Sequence, residues 1–198
     1  MKTRKLTILG IAAVLASAIL AASSTAGASS HGMAPAVSSD AMSAKGTAPL
    51  MNFKILNQSA QATTYAVIFG TGDEVFGGLT QFAQQNHIVA ARITGVGAVR
   101  DATLGFFDPQ RKTYRRISIG HQAEVLSMLG DIAMYQGKPM VHVHMVVGFA
   151  DGTAHGGHLL QAHVWPTLEV IVTSYPRPLY RKFDPEKGLA VIDPTIQK

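Results

Sequence analysis

Val141-His142-Val143-His144-Met145-Val146-Val147-Gly148-Phe149, then Asp151-Gly152, then His155-Gly156-Gly157-His158-Leu159-Leu160, is the stretch on which the reading of this chain turns. Val141, Val143, Met145 and Val147 alternate with His142 and His144, the period of two expected of a half-buried strand. Asp151-Gly152 is a tight-turn dipeptide and Leu159 to Val164 is apolar again, so the segment predicts two antiparallel strands. Residues i and i+2 of a strand share a face, which sets His142 and His144 side by side. A hairpin of this length can return His158 to that face, and Gly156-Gly157 can bring backbone close behind a bound ion. Three imidazoles converging from two strands match a zinc site with an open fourth position. Five of the eight histidines fall between positions 142 and 163. His155 is a further candidate, as a third or fourth ligand or as part of the pocket wall. His163 and His121 read as surface residues.

Outward from the hairpin the pattern remains mostly β. Thr63 to Phe69 is β-branched and aromatic, hence a strand. Thr71-Gly72-Asp73-Glu74 supplies capping residues, and Val75, Leu79, Phe82 and Ala83 recur at helical spacing, predicting a helix to about Asn86. Ile88 to Ile93 is a strand, and Gly95-Val96-Gly97 reads as a turn or bulge, since the third glycine and following helix of a dinucleotide motif are missing. Ala102 to Phe107 and Tyr114 to Ile119 form a hairpin around Asp108-Pro109. Ala123 to Leu129 is a strand ending at Gly130-Asp131, and Leu159 to Val164 and Leu168 to Ser174 are two more, separated at Pro166. One amphipathic helix among these strands predicts an α+β fold with a mostly antiparallel sheet. Met128, Met134, Met140 and Met145 read as core filler.

The ends read differently. Lys2, Arg4 and Lys5 precede an apolar run from Leu6 to Ala22, and Ala26-Gly27-Ala28 fits a peptidase cleavage site. Residues 1–28 are therefore expected to be a secretory signal peptide, removed on export to the periplasm or beyond, with no stable membrane insertion afterwards. Residues 29–50, rich in Ser, Ala, Gly, Met and Pro, read as a flexible linker, 51–176 as the domain, and 177–198 as a surface-running tail.

Composition first suggests a different partner. The chain has 198 residues, 17 Lys+Arg against 12 Asp+Glu and a net charge of +5, with a pI near 9.6. Position removes most of that suggestion: three basic residues lie in the signal, and Asn52 to Tyr175 holds eight basic and eight acidic side chains. The Arg111-Lys112 and Arg115-Arg116 cluster surrounds a turn and reads as a solvated hairpin tip. The absence of cysteine excludes disulfides, thiol nucleophiles and iron–sulfur clusters, and leaves any metal chemistry to histidine. Imidazole sites favour Zn, Cu, Fe or Ni over Mg or Ca.

Thr71-Gly-Asp-Glu with its helix, Ile93-Thr-Gly-Val-Gly-Ala-Val, Ala102-Thr-Leu-Gly-Phe-Phe-Asp, Glu124-Val-Leu-Ser-Met-Leu-Gly, His142-x-His144, and Asp151-Gly with Gly156-Gly-His158-Leu occur in the order found in the plants-and-prokaryotes-conserved (PPC, or PCC) domain. From about Phe53 to Pro176 the chain resembles that family. The resemblance implies a compact homotrimer with zinc held by His142, His144 and His158, and a fold similar to α-acetolactate decarboxylase. His155 is not part of the shared pattern. Plant members accompany an AT-hook and DNA, but this sequence has no Arg-Gly-Arg-Pro hook and carries an export signal, so nucleic acid is not the expected partner.

Two functions follow. One is an exported module that binds a small ligand or ion at the histidine centre. The other is a zinc enzyme acting on a small oxo-acid, by decarboxylation or hydrolysis. The second needs a proton-handling or orienting group; Glu169, Glu124 and Arg92 are the candidates, with Tyr65 as a further carboxylate-orienting residue.

Overall fold

A computed structural model describes Val37–Ser38 and residues 46–197, all within the compact unit Met33–Lys198. The signal-peptide reading of residues 1–28 and most of the linker reading lie outside the described residues. In chain order the elements are β1 (Val37–Ser38), β2 (Asn52–Gln58), β3 (Thr63–Phe69), α1 (Val75–Gln85), β4 (Ala90–Asp108), β5 (Thr113–Ile119), β6 (Ala123–Tyr135), β7 (Lys138–Gly148), β8 (Ala154–Ser174), β9 (Arg181–Asp184) and β10 (Leu189–Ile192). Strands β1 to β8 form one sheet in the order β1-β5-β4-β6-β7-β8-β3-β2, and every pairing within it is antiparallel. An additional β4–β8 pairing joins the ends of the β4-β6-β7-β8 run, so these four strands close on themselves. The α+β expectation, a mostly antiparallel sheet with one helix, is what the fold shows.

Capping starts α1 where the sequence signals it. Glu74 is the N-cap, and its carboxylate accepts from the backbone N–H of Phe76 at 3.1 Å and Gly77 at 2.5 Å. It also accepts from the Ala162 N–H on β8 at 3.2 Å, which pins the helix start to the sheet. Asp73 accepts from the N–H groups of Leu50 and Gly70, both at 2.9 Å. Just upstream, Ala48 is buried, and the Thr47 carbonyl accepts from the Glu74 N–H at 3.0 Å. The apolar stripe of α1 is buried, with Leu79 and Phe82 fully covered. Each such side chain contributes about 1.5–3 kcal/mol. Tyr65 meets Phe82 edge-on at 5.2 Å and is buried there, as a core residue under the helix.

Three strand expectations are corrected by the fold. The strands expected at Ile88–Ile93 and Ala102–Phe107 are one continuous β4, with Gly95-Val96-Gly97 a bulge inside it: the register to β6 shifts between Gly95 and Gly97. Strand β6 does not end at Gly130-Asp131 but runs on to Tyr135. A side chain at position 130 would meet the His142 carbonyl oxygen at 2.2 Å, so this glycine permits close approach of β7 and is not a turn. The strands expected on either side of Pro166 are one β8, with Val164 opposite Val99 and Leu168 opposite Gly97. Proline is tolerated there because it falls against a register irregularity, where no ladder N–H is needed. The segment after Tyr175 runs beside β6, with the Met134 N–H donating to the Leu179 carbonyl at 2.7 Å, and then folds into the β9–β10 hairpin. Among the described residues, no helix is long and apolar enough to cross a membrane.

Candidate metal centre

The alternation on β7 sends Val141, Val143, Met145 and Val147 into the core, leaving His142 and His144 on the other face. Antiparallel register then places His144 directly opposite His158 of β8 and His142 directly opposite Asp131 of β6. The rings of His142, His144 and His158 form a near-equilateral triangle, with centroid separations of 5.0, 5.2 and 5.3 Å. One ring nitrogen from each lies within 4.8 Å of the others. His142 is half-buried, His144 exposed and His158 buried.

His158 is the anomalous member. It is 3% exposed, and both of its ring nitrogens are buried without a protein hydrogen-bond partner. Unsatisfied buried polar atoms are rare and costly, and an imidazole with a free nitrogen facing two others fits a metal ion. Burial, reinforced by His142, His144 and Arg181, pushes its pKa down to about 3. Partial desolvation, with His142 beside it, lowers that of His144. Both rings are therefore held in the neutral form that can donate to a metal.

Around this triangle lies a charged support. His142 Nδ1 faces Asp131 Oδ2 at 3.3 Å, and Asp131 Oδ1 accepts from Arg181 Nη2 at 2.5 Å. Burial works against the Asp131 carboxylate, yet the His142 contact and the Arg181 charge hold its pKa below the usual range. A carboxylate on the outer nitrogen of a histidine fixes which nitrogen is left for a metal. The Tyr114 ring packs on His158 at 4.8 Å.

The other sequence candidates are spread over the fold. Arg92 is the cross-strand neighbour of Asp131 on β4, exposed and on the same face as the centre. Glu124 is exposed and pairs with Gly148, at the far end of β7 from His142. Glu169 is exposed near the opposite end of β8 from His158. His155 packs against Phe149 at 5.2 Å, and His121 lies on that same ring at 5.1 Å. His163 Nδ1 pairs with Asp101 Oδ1 at 2.6 Å. Gly157 serves packing between strands, since a side chain there would meet the Gly105 backbone oxygen at 2.8 Å. Sequence reasoning missed Asp131 and Arg181. A lone acid after a glycine resembled a strand end, and the arginine sits in a proline-flanked tail.

A cleft of about 900 Å³ opens beside His142 and His158, between α1, β7 and the β9–β10 hairpin. Its polar lining includes Tyr114, Tyr135, Lys138 and Arg181, and its described lining holds no carboxylate.

Residues 56–176 match the Plants and Prokaryotes Conserved (PCC) domain. The chain belongs to the PCC family. This PCC chain is similar to the metal-containing protein of Archaeoglobus fulgidus, with 29% identity over 73% of this chain and 98% of that one, at a TM-score of 0.62. It is also similar to a plant- and prokaryote-conserved protein of Pyrococcus horikoshii, at 25% identity, 74% and 97% coverage and a TM-score of 0.63. A Ralstonia eutropha protein named for a conjectured DNA-binding role shares 36% identity over 65% of this chain and 90% of that one, with a TM-score of 0.62. No curated protein matches the chain.

Proposed function

We propose that this PCC protein is exported and binds zinc at His142, His144 and His158, using the centre to hold a small ligand or ion. The observation that carries this reading is His158, a buried imidazole with two unpartnered nitrogens at one corner of a three-histidine triangle. The donor set is all nitrogen, which favours zinc or a neighbouring transition metal. The likeness to a protein named as metal-containing supports the same reading. Lys2, Arg4, Lys5 and the apolar run from Leu6 to Ala22 support export to the periplasm or beyond. A homotrimer is the assembly the family resemblance supports, and exposed apolar side chains such as Leu126, Leu129 and Phe106 suit a subunit contact.

A second reading, a zinc enzyme acting on a small oxo-acid, as the expected resemblance to α-acetolactate decarboxylase would imply, is favoured by the cleft. Its wall joins two metal-candidate histidines to Lys138, with Arg181 already paired to Asp131, and the lining itself holds no carboxylate, a setting that suits a small anion. Zinc would supply Lewis-acid polarisation there; Arg92, on the same face, would orient a carboxylate. DNA binding ranks below both, because the charge of the domain is balanced.

Titration of the purified protein with zinc against a chromophoric chelator tests the first reading: one ion per chain is expected, lost in His158→Ala. Turnover of acetolactate or a related oxo-acid that disappears in that variant would select the enzyme; binding without turnover selects the module. A gel shift persisting at physiological salt would instead revive nucleic acid.

A further inference from the structure

Arg181 lies outside the residues matched to the family, yet its side chain is only 6% exposed and reaches the histidine centre. Its Nη2 donates to Asp131 Oδ1 at 2.5 Å, while Asp131 Oδ2 faces His142 Nδ1 at 3.3 Å. Its Nη1 donates to the Ala190 carbonyl of β10 at 3.0 Å. One guanidinium therefore ties the C-terminal hairpin to β6 and, through a carboxylate, to the β7 histidine. The hairpin is itself anchored at both ends. The Met134 N–H donates to the Leu179 carbonyl at 2.7 Å, and Lys112 Nζ donates to the Pro185 carbonyl at the same distance. Phe183, Leu189 and Val191 of the hairpin then form one wall of the cleft beside His142 and His158.

An aspartate facing a histidine across a strand pair retains side-chain freedom. A planar guanidinium holding its second oxygen removes much of it. We propose that Arg181 is a positioning residue of the metal centre, delivered by the C-terminal hairpin. Through Asp131 it keeps the proton of His142 on Nδ1 and leaves Nε2 for the metal. The hairpin thus supplies a part of the site from beyond residues 56–176, the range matched to the family. The proposal rests on the zinc reading above.

The test uses the full exported chain and zinc competition with a chromophoric chelator, on wild type, Arg181→Ala, Arg181→Lys, Asp131→Asn and the Arg181→Ala/Asp131→Asn double variant. Loss of an outer partner of a metal-bound histidine typically lowers affinity by about 10–100-fold. That drop is expected for Arg181→Ala and Asp131→Asn, with a smaller one for Arg181→Lys. Because the arginine acts through the aspartate, the double variant should bind within about 3-fold of the weaker single variant. Unfolding in chelator, which reports only on the metal-free fold, separates a structural loss from a metal-site loss. Should Arg181→Ala not fold, Arg181→Lys and Asp131→Asn carry the comparison, and wild-type affinity in Arg181→Lys overturns the proposal. Unchanged affinity in Arg181→Ala, or multiplicative losses in the double variant, overturns the relay while leaving the zinc centre standing. A wild-type protein that binds no zinc removes the centre and the relay together.

Discussion

Replacing His158 with leucine is expected to act in opposite directions with and without metal. In the metal-free protein the imidazole is 3% exposed and both ring nitrogens lack partners. Leaving a buried polar group unsatisfied costs about 1–3 kcal/mol, which an apolar side chain of similar size removes. Against this stands the lost ring contact with Tyr114 at 4.8 Å, worth about 0.5–1.5 kcal/mol. The net expectation in chelator runs from a variant about 0.5 kcal/mol less stable to one about 2.5 kcal/mol more stable than wild type. With zinc at a thousandfold excess over its dissociation constant, wild type gains about 4 kcal/mol, and the variant gains almost nothing. Because that gain exceeds the variant's metal-free advantage, wild type should overtake the variant on zinc addition. The assay is urea unfolding of both proteins, in chelator and in zinc. A variant more than about 1 kcal/mol less stable than wild type in chelator would refute the reasoning, because it would mean the buried imidazole is satisfied without metal.

The same residue sets a pH dependence. With His158 at about 3 in the fold against an ordinary 6.5, the unfolded chain takes up a proton that the folded chain refuses. Metal-free stability should therefore fall as pH drops below about 6.5, approaching about 1.4 kcal/mol per pH unit for this group and levelling near pH 3; His158→Leu should flatten the decline, measured by urea midpoints across pH. Glu74→Ala strips the acceptor from the N–H groups of Phe76, Gly77 and Ala162, and a loss of about 2–4 kcal/mol is expected in the same assay. A loss below about 1 kcal/mol would mean the helix start is held by something else. Leu129→Glu places a charge on an exposed apolar position beside His144. If the protein is the proposed trimer and that position a subunit contact, sedimentation should show a shift from trimer to monomer; a trimeric mass unchanged by the substitution would remove Leu129 from the contact.

Local pattern was sufficient for the histidines and insufficient for what supports them. Alternation on β7 and the Asp151-Gly152 turn are short-range features, and they place His142, His144 and His158 on one face from residue order alone. The Glu74 cap is legible for the same reason. Asp131 was hidden because Gly130-Asp131 has the composition of a turn, whereas the glycine is needed for the close approach of the His142 carbonyl. Continuity of β4 and β8 through Gly95–Gly97 and Pro166 depends on register irregularities that only the paired strand reveals. Arg181 depends on the chain returning to β6 from beyond the last long strand, a contact between residues 50 positions apart. No periodicity in a short, proline-bounded segment encodes that return.

The proposed zinc centre requires that His142, His144 and His158 together hold a metal. Elemental analysis of the purified protein beside His144→Ala tests it most directly. About one zinc per chain in wild type and little in the variant is the predicted result. Equal metal content in the two proteins would contradict the claim.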